Sequence, residues 1–161
     1  LPLGLFDLVV RSKNIDSRIS LAEDIEYTNV LIIDGDASMT EMLRLILEPD
    51  AFKVFAENSG PAGIEAARKL DPDIIILDLL MQGMDGWDVC HKIRDFSNVP
   101  ILVLSAVNKP GYVAKALDNG ADDYLIKPMP SNVLIAHLKK LTRRAKAEQS
   151  GGKESYKYSN A

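Results

Sequence analysis

The sequence predicts an α/β domain built on a doubly wound, five-stranded parallel sheet with helices on both faces, and three observations carry that reading. Five short apolar runs alternate with segments of helical period, strand then helix, five times over. The middle run, Ile74 to Leu77, is wholly apolar, as a strand covered on both faces must be. Acidic, hydroxyl and basic residues follow the ends of these runs, which is where open parallel sheets gather their chemistry.

The strands are read as Val30 to Ile33, Lys53 to Ala56, Ile74 to Leu77, Ile101 to Leu104 and Tyr124 to Ile126. Met39, Met42, Leu43, Ile46 and Leu47 recur at the spacing of a helix packed on a sheet, and Pro49 ends that helix. A second helix runs from about Ser59 to Leu70 and stops before Asp71-Pro72. A third follows Met84-Asp85-Gly86 with Trp87, Cys90 and Ile93 inward, and a fourth lies between Pro110 and Gly120. The fifth, from about Asn132 to Ala147, places Leu134, Leu138 and Leu141 on one stripe before Ser150-Gly151-Gly152, a linker composition. The expected organisation is an extension over residues 1–27, read as mobile, a folded domain over residues 28–147, and a linker leading into a further domain over residues 148–161.

The chain has 161 residues, 47% hydrophobic and 26% charged, enough for one well-buried core. No apolar run approaches the roughly 20 residues of a membrane span, and the single Cys90 has no partner for an internal disulfide, so a cytoplasmic protein is expected. A net charge of −4 argues against nucleic-acid binding by this stretch itself. The basic end, Lys139, Lys140, Arg143, Arg144 and Lys146, matches the charge that the last turns of a helix favour.

At the carboxyl edge, strand one ends in Asp34-Gly35-Asp36, strand three in Asp78, strand four in Ser105-Ala106 and strand five in Lys127-Pro128. Converging carboxylates repel, and a hard divalent cation such as Mg²⁺ relieves that repulsion while bridging to a phosphate oxygen. A lysine and a hydroxyl can hold the remaining oxygens, and a carboxylate can attack a phosphoryl group to make an acyl phosphate. Asp78, on the central strand, is the natural nucleophile. His91 and His137 each stand alone in a helical segment, without a partner at ligand spacing, and are read as structural or surface residues.

Four motifs in order, Leu31-Ile32-Ile33-Asp34, Asp78-Leu79-Leu80-Met81 with Gly83-Met84-Asp85-Gly86, Val103-Leu104-Ser105-Ala106, and Gly120-Ala121-Asp122-Asp123-Tyr124-Leu125-Ile126-Lys127-Pro128, resemble a bacterial response-regulator receiver. The resemblance covers about three-quarters of the chain and is similar to the N-terminal part of winged-helix (OmpR/PhoB-like) transcriptional regulators. It implies the flavodoxin-like strand order 2-1-3-4-5, Asp78 as phosphoacceptor for a sensor histidine kinase, and Mg²⁺ held by Asp34, Asp78 and the Leu80 carbonyl. It further implies that Lys127 and Ser105 contact the phosphoryl group and that Ser105 and Tyr124 form a switch. The bond before Pro128 is expected to be cis. Such a receiver transfers a phosphoryl group onto itself and is not an enzyme in the usual sense.

Two positions depart from the pattern. Receivers usually carry two adjacent acids after strand one, and this chain has Gly35 at the second, so metal affinity should fall. Asp36 could swing inward to compensate or could cap the first helix; the capping propensity of aspartate favours the cap. Gln82 stands where the family commonly has proline. Lys115, Asp118, Asp122, Asp123, Lys139 and Arg144 resemble the charged face through which such receivers pair as two-fold homodimers, across helix four, strand five and helix five. Arginine is common in that class where this chain has His137, so one ion pair is expected to be missing. Tyr156-Lys157-Tyr158-Ser159 resembles the first strand of a winged-helix domain, so DNA would be met only through a domain outside this chain. Gly35 keeps a rival open, a phosphate-independent protein-interaction module. A hydrolase on the same sheet would need a general acid and a substrate-capping insertion, neither of which is legible.

Overall fold

The computed structural model describes residues 25–158, with side chains described through residue 151. The expected alternation is present: β1 (Thr28–Ile33), α1 (Ala37–Leu47), a 3₁₀ turn (Glu48–Asp50), β2 (Phe52–Glu57), α2 (Gly60–Leu70), β3 (Ile74–Leu77), α3 (Gly86–Arg94), β4 (Ile101–Ser105), α4 (Pro110–Asp118), β5 (Asp123–Ile126) and α5 (Ser131–Tyr158). All strand pairs are parallel, in the order β2-β1-β3-β4-β5.

Side chains alternate across the sheet with the period of two that a strand imposes. Leu31, Ile33, Ile75, Leu77, Ile101 and Val103 meet α2, α3 and α4 through Ala66, Ala67, Val89, Cys90, Ile93 and Ala116. Val30, Ile32, Ile74, Ile76, Leu102 and Leu104 meet α1 and α5 through Leu43, Leu47, Leu134, Leu138 and Leu141. Every residue of β3 is buried, and each such side chain contributes on the order of 1.5–3 kcal/mol relative to exposure.

Local chemistry sets the helix ends. Asp36 caps α1 by accepting from the Ser38 and Met39 N–H groups, Ser59 caps α2 through Ala62, and Asp85 caps α3 through Asp88. Arg94, at the end of α3, fastens that face. It donates to the carbonyls of Ser97, Val99 and Gly120 and pairs with Asp122 at 2.9 Å. Gly120 sits at φ +101°, the left-handed region that an L side chain resists, with the Arg94 stem packed against it.

Three expectations need correction. Met42 is 47% exposed instead of buried, because it turns to the rim of an apolar cleft of about 120 Å³ that it shares with Met39, Pro128 and Met129. Helix α5 does not stop at Ser150-Gly151-Gly152 but runs on to Tyr158. Residues 143–149 include several strong helix formers, and a helical glycine costs only about 1 kcal/mol relative to alanine, so composition alone does not break an established helix. Tyr156 to Tyr158 are accordingly helical and not extended. The extension over residues 1–24 and the segment from Ser159 lie outside the described residues.

Candidate functional site

The backbone ladder continues one residue past β1 and β3. The Asp34 N–H donates to the Glu57 carbonyl at 3.2 Å and the Asp78 N–H to the Ile33 carbonyl at 2.9 Å. Both carboxylates therefore emerge side by side where the strand order reverses, and both are buried, at 3% and 9% exposure. β5 delivers the cation: the Lys127 ammonium lies 2.8 Å from Asp34 Oδ2 and 3.9 Å from Asp78 Oδ2. The Lys127–Pro128 bond is cis.

Ser105 is fully buried at the end of β4, and its Oγ accepts the Val107 N–H at 3.3 Å. Tyr124, half-buried on β5, donates its hydroxyl to the Val107 carbonyl at 2.5 Å. The two expected switch residues thus hold the N–H and the carbonyl of one residue, Val107, in the loop after β4. Burial pushes the Tyr124 phenol above its ordinary range, with the Ser105 hydroxyl opposing and the Asp78 charge adding to the rise.

Burial also raises the Asp78 carboxyl above its ordinary pKa. Lys127 opposes that rise, Asp34 adds to it, and the Leu80 N–H and Ser105 hydroxyl oppose it more weakly. A carboxylate short of solvation and lacking full charge neutralisation is poised to gain from a bound electrophile.

Each Asp34 oxygen has a partner. Oδ1 accepts the Asp36 N–H at 2.9 Å, and Oδ2 takes the Lys127 contact. Asn58, not singled out in the sequence, donates to the Asp34 carbonyl at 2.8 Å. Its signal was its place, one residue beyond β2 at the same sheet edge. Val107 was equally invisible, because it acts through its backbone.

The six residues expected on one charged face do not stand alike. Asp122 turns to Arg94 and to the Ile101 N–H, so it is committed to α3 and β4. Lys115 lies over the Trp87 ring at 4.3 Å, and Lys139 reaches Asp50 beyond α1. Asp118 and Arg144 are exposed. Asp123 contacts His137 Nδ1 at 2.6 Å and Lys140 at 3.8 Å. His137, where the resemblance led arginine to be expected, thus meets Asp123 within the chain.

The model of the response regulator receiver domain matches residues 30–139. The chain belongs to that family. It is 39% identical over 115 residues to the DNA-binding response regulator MtrA of Mycobacterium tuberculosis, covering 71% of this chain and 50% of that protein. It is 42% identical over 119 residues to the transcriptional regulatory protein CseB of Streptomyces avermitilis, covering 74% of this chain and 51% of that protein. The chain thus spans about half the length of the curated relatives it matches. Among solved structures, a two-component response regulator from Clostridium difficile superposes with a TM-score of 0.71 at 33% identity, covering 73% of this chain and 98% of that one. The BeF3-activated N-terminal receiver domain of Klebsiella pneumoniae RstA superposes at 0.70 with 26% identity, covering 72% and 99%.

Receivers act in two-component regulation and are not conventional enzymes; they interact with histidine kinases, and the family generally binds Mg²⁺ for phosphorylation. In this receiver the donor set for that ion is incomplete. Gly35 brings no side-chain oxygen, the Asp36 carboxylate caps α1, and each Asp34 oxygen already accepts one contact. Among the described residues no group of three or more His, Cys, Asp or Glu side chains could hold a metal. No described helix is long and apolar enough to cross a membrane.

Proposed function

We propose that this receiver accepts a phosphoryl group on Asp78 from the phosphohistidine of a sensor kinase and relays the change to the face formed by α4, β5 and α5. The observation that carries the reading is the placement of Asp78. It is a buried carboxylate with a raised pKa at the carboxyl end of the central strand, 3.9 Å from one ammonium and beside a buried hydroxyl. In the transfer, an Asp78 oxygen forms the new P–O bond as the donor's P–N bond breaks. The electron pair stays on the imidazole nitrogen, which takes a proton. Lys127 and Ser105 supply charge and a hydrogen bond to the incoming phosphoryl oxygens, so positioning and neutralisation provide most of the catalysis.

When Ser105 turns to a phosphoryl oxygen it gives up the Val107 N–H, which leaves Val107 held by Tyr124 at its carbonyl alone. The loop then moves, and with it α4. The surface this would remodel carries exposed Leu117 and Ile126 together with exposed Asp118, Lys140 and Arg144 and half-buried Asp123. Exposed apolar residues among mixed charge suit an isologous homodimer. Regulation of transcription would follow through a DNA-binding domain outside this chain, a function carried by the names of the relatives. Residues 28–147 are the proposed receiver unit, and the cytoplasm is the proposed compartment.

Acetyl phosphate treatment followed by intact-mass measurement tests the reading. One added phosphoryl group on the native chain and none on Asp78→Asn is the expected result. No adduct on either would favour the phosphate-independent interaction module that Gly35 keeps open.

A further inference from the structure

A peptide group that precedes glycine can flip at little cost, because glycine reaches positive φ without the steric penalty of a Cβ. The link between β1 and α1 holds such a group. Asp34 is followed by Gly35, an exposed residue whose missing side chain leaves the Asp34–Gly35 peptide free to turn. On one side of it the Asp34 N–H is held by the Glu57 carbonyl at 3.2 Å. On the other, Asp36 is committed to α1 by its cap and by the Thr40 N–H, which donates to the Asp36 carbonyl at 3.1 Å. The bond that pins the peptide itself comes from beyond β2: Asn58 Nδ2 donates to the Asp34 carbonyl at 2.8 Å. The same nitrogen lies 3.5 Å from Oγ1 of buried Thr40, so the amide is seated between the end of β1 and the first turn of α1.

We propose that Asn58 is a positioning residue of the Asp78 pocket: it keeps the Asp34–Gly35 peptide from flipping and so fixes the Asp34 carboxylate beside Asp78. The consequence for phosphoryl transfer rests on the phosphoacceptor reading of Asp78, whereas the hold on the peptide does not. The carboxylate is placed through this loop, because Asp34 Oδ1 accepts the N–H of Asp36, two residues on, at 2.9 Å. A flip at Gly35 carries that N–H away and lets the carboxylate turn. Asp78 feels the change, since the Asp34 charge is one of those acting on its carboxyl.

Position 35 offers a way to separate this role from plain stability. Gly35 does not itself take a positive φ, and a Cβ there meets only Met81, with Cγ at 3.7 Å and Cα at 4.0 Å, which is ordinary contact. Alanine therefore fits the observed conformation and penalises the flipped one. Asn58 is exposed, so its replacement opens no hole in the core. Loss of its bond should raise the flipped population by about threefold to tenfold, the worth of one hydrogen bond. Gly35→Ala should take most of that back by a route that needs no hydrogen bond.

The test compares the intact native chain with Asn58→Ala, Asn58→Asp, Gly35→Ala and the double variant Asn58→Ala with Gly35→Ala. Hydrogen exchange at the Asp36 amide reads the peptide. It should quicken by about threefold or more in both Asn58 variants, because aspartate keeps the size and shape of asparagine but has no donor. In the double variant it should return toward the native value. The rate of acyl-phosphate formation with acetyl phosphate, followed by intact mass with every chain fully folded, should fall in the Asn58 variants and recover in the double variant. Native exchange at Asp36 in Asn58→Ala would overturn the proposal, as would a double variant that stays as loose or as slow as Asn58→Ala. Loosened amides with an unchanged rate would make Asn58 a purely structural residue and overturn it equally. If the native chain takes up no phosphoryl group, the phosphoacceptor reading fails, while the Asp36 amide still decides whether Asn58 holds the peptide.

Discussion

The Tyr124 hydroxyl donates to the carbonyl of Val107, which ties β5 to the loop that follows β4. The N–H of the same Val107 is held by Ser105, so the loop is fastened at two adjacent points by the two residues expected to switch. Replacing Tyr124 with phenylalanine keeps the ring and removes one fastening. The expected stability cost is about 1 kcal/mol, the net worth of one hydrogen bond. Amide exchange at Val107, Asn108 and Lys109 should quicken while exchange in β1 and β3 stays unchanged. If the loop amides are as protected in the variant as in the native chain, the hydroxyl is not what holds the loop.

Arg94 predicts a larger effect far from the pocket. Its guanidinium satisfies the carbonyls of Ser97, Val99 and Gly120 and pairs with Asp122, which also receives the Ile101 N–H. Arg94→Met strands several partly buried acceptors at once, with an expected loss of about 2–4 kcal/mol in urea unfolding. Arg94→Lys should recover less than half of it, because a single ammonium cannot reproduce the planar fork. A lysine variant as stable as the native chain would contradict this.

How much of this was legible beforehand depended on whether the information sits in side-chain type or in backbone placement. The parallel sheet, the central position of Ile74 to Leu77 and the meeting of Asp34, Asp78, Ser105 and Lys127 follow from apolar periodicity and strand ends, the strand order is what the resemblance to receivers implied, and the structure places them accordingly. Val107 could not be read, because it acts through its peptide group and any residue has one. Asn58 and Arg94 were overlooked for a different reason: each bonds carbonyls distant in sequence, which no local spacing announces. The glycine pair at the end of α5 misled because linker composition is a tendency, while helix continuation is decided by the residues around it.

The raised pKa of Asp78 carries a stability prediction with a definite sign. A carboxyl whose folded pKa lies above its unfolded value binds its proton more tightly when folded. Its contribution is fully present below the unfolded value, near 3.8, and is lost as pH rises through the folded pKa. At neutral pH the ionised Asp78 is thus a burden on the fold. Asp78→Asn should therefore raise Tm at pH 7, and the advantage should shrink as the pH is lowered toward 4. Thermal melts of both chains across that window check it. An asparagine variant less stable than the native chain at pH 7 would mean that Lys127 outweighs the burial.

Gly86 links the start of α3 to the phosphoacceptor strand by absence of a side chain. A Cβ at this position would lie 2.4 Å from the Asp78 carbonyl oxygen and 2.6 Å from the Leu79 Cα, both backbone atoms that cannot rotate away. The Gly86 N–H meanwhile donates to the Leu79 carbonyl at 2.9 Å, so the helix is held against the strand end at the closest approach a backbone allows. In Gly86→Ala either α3 retreats, losing burial of Val89 and Cys90, or the Asp78–Leu79 peptide shifts and carries the carboxylate off its line with Lys127. Overpacking of this kind costs roughly 1–3 kcal/mol. The second route would also slow acyl-phosphate formation at Asp78 more than the stability loss alone explains. Comparing phosphorylation rates under conditions where both chains are fully folded separates the two: equal rates would mean that the helix moved and the site did not.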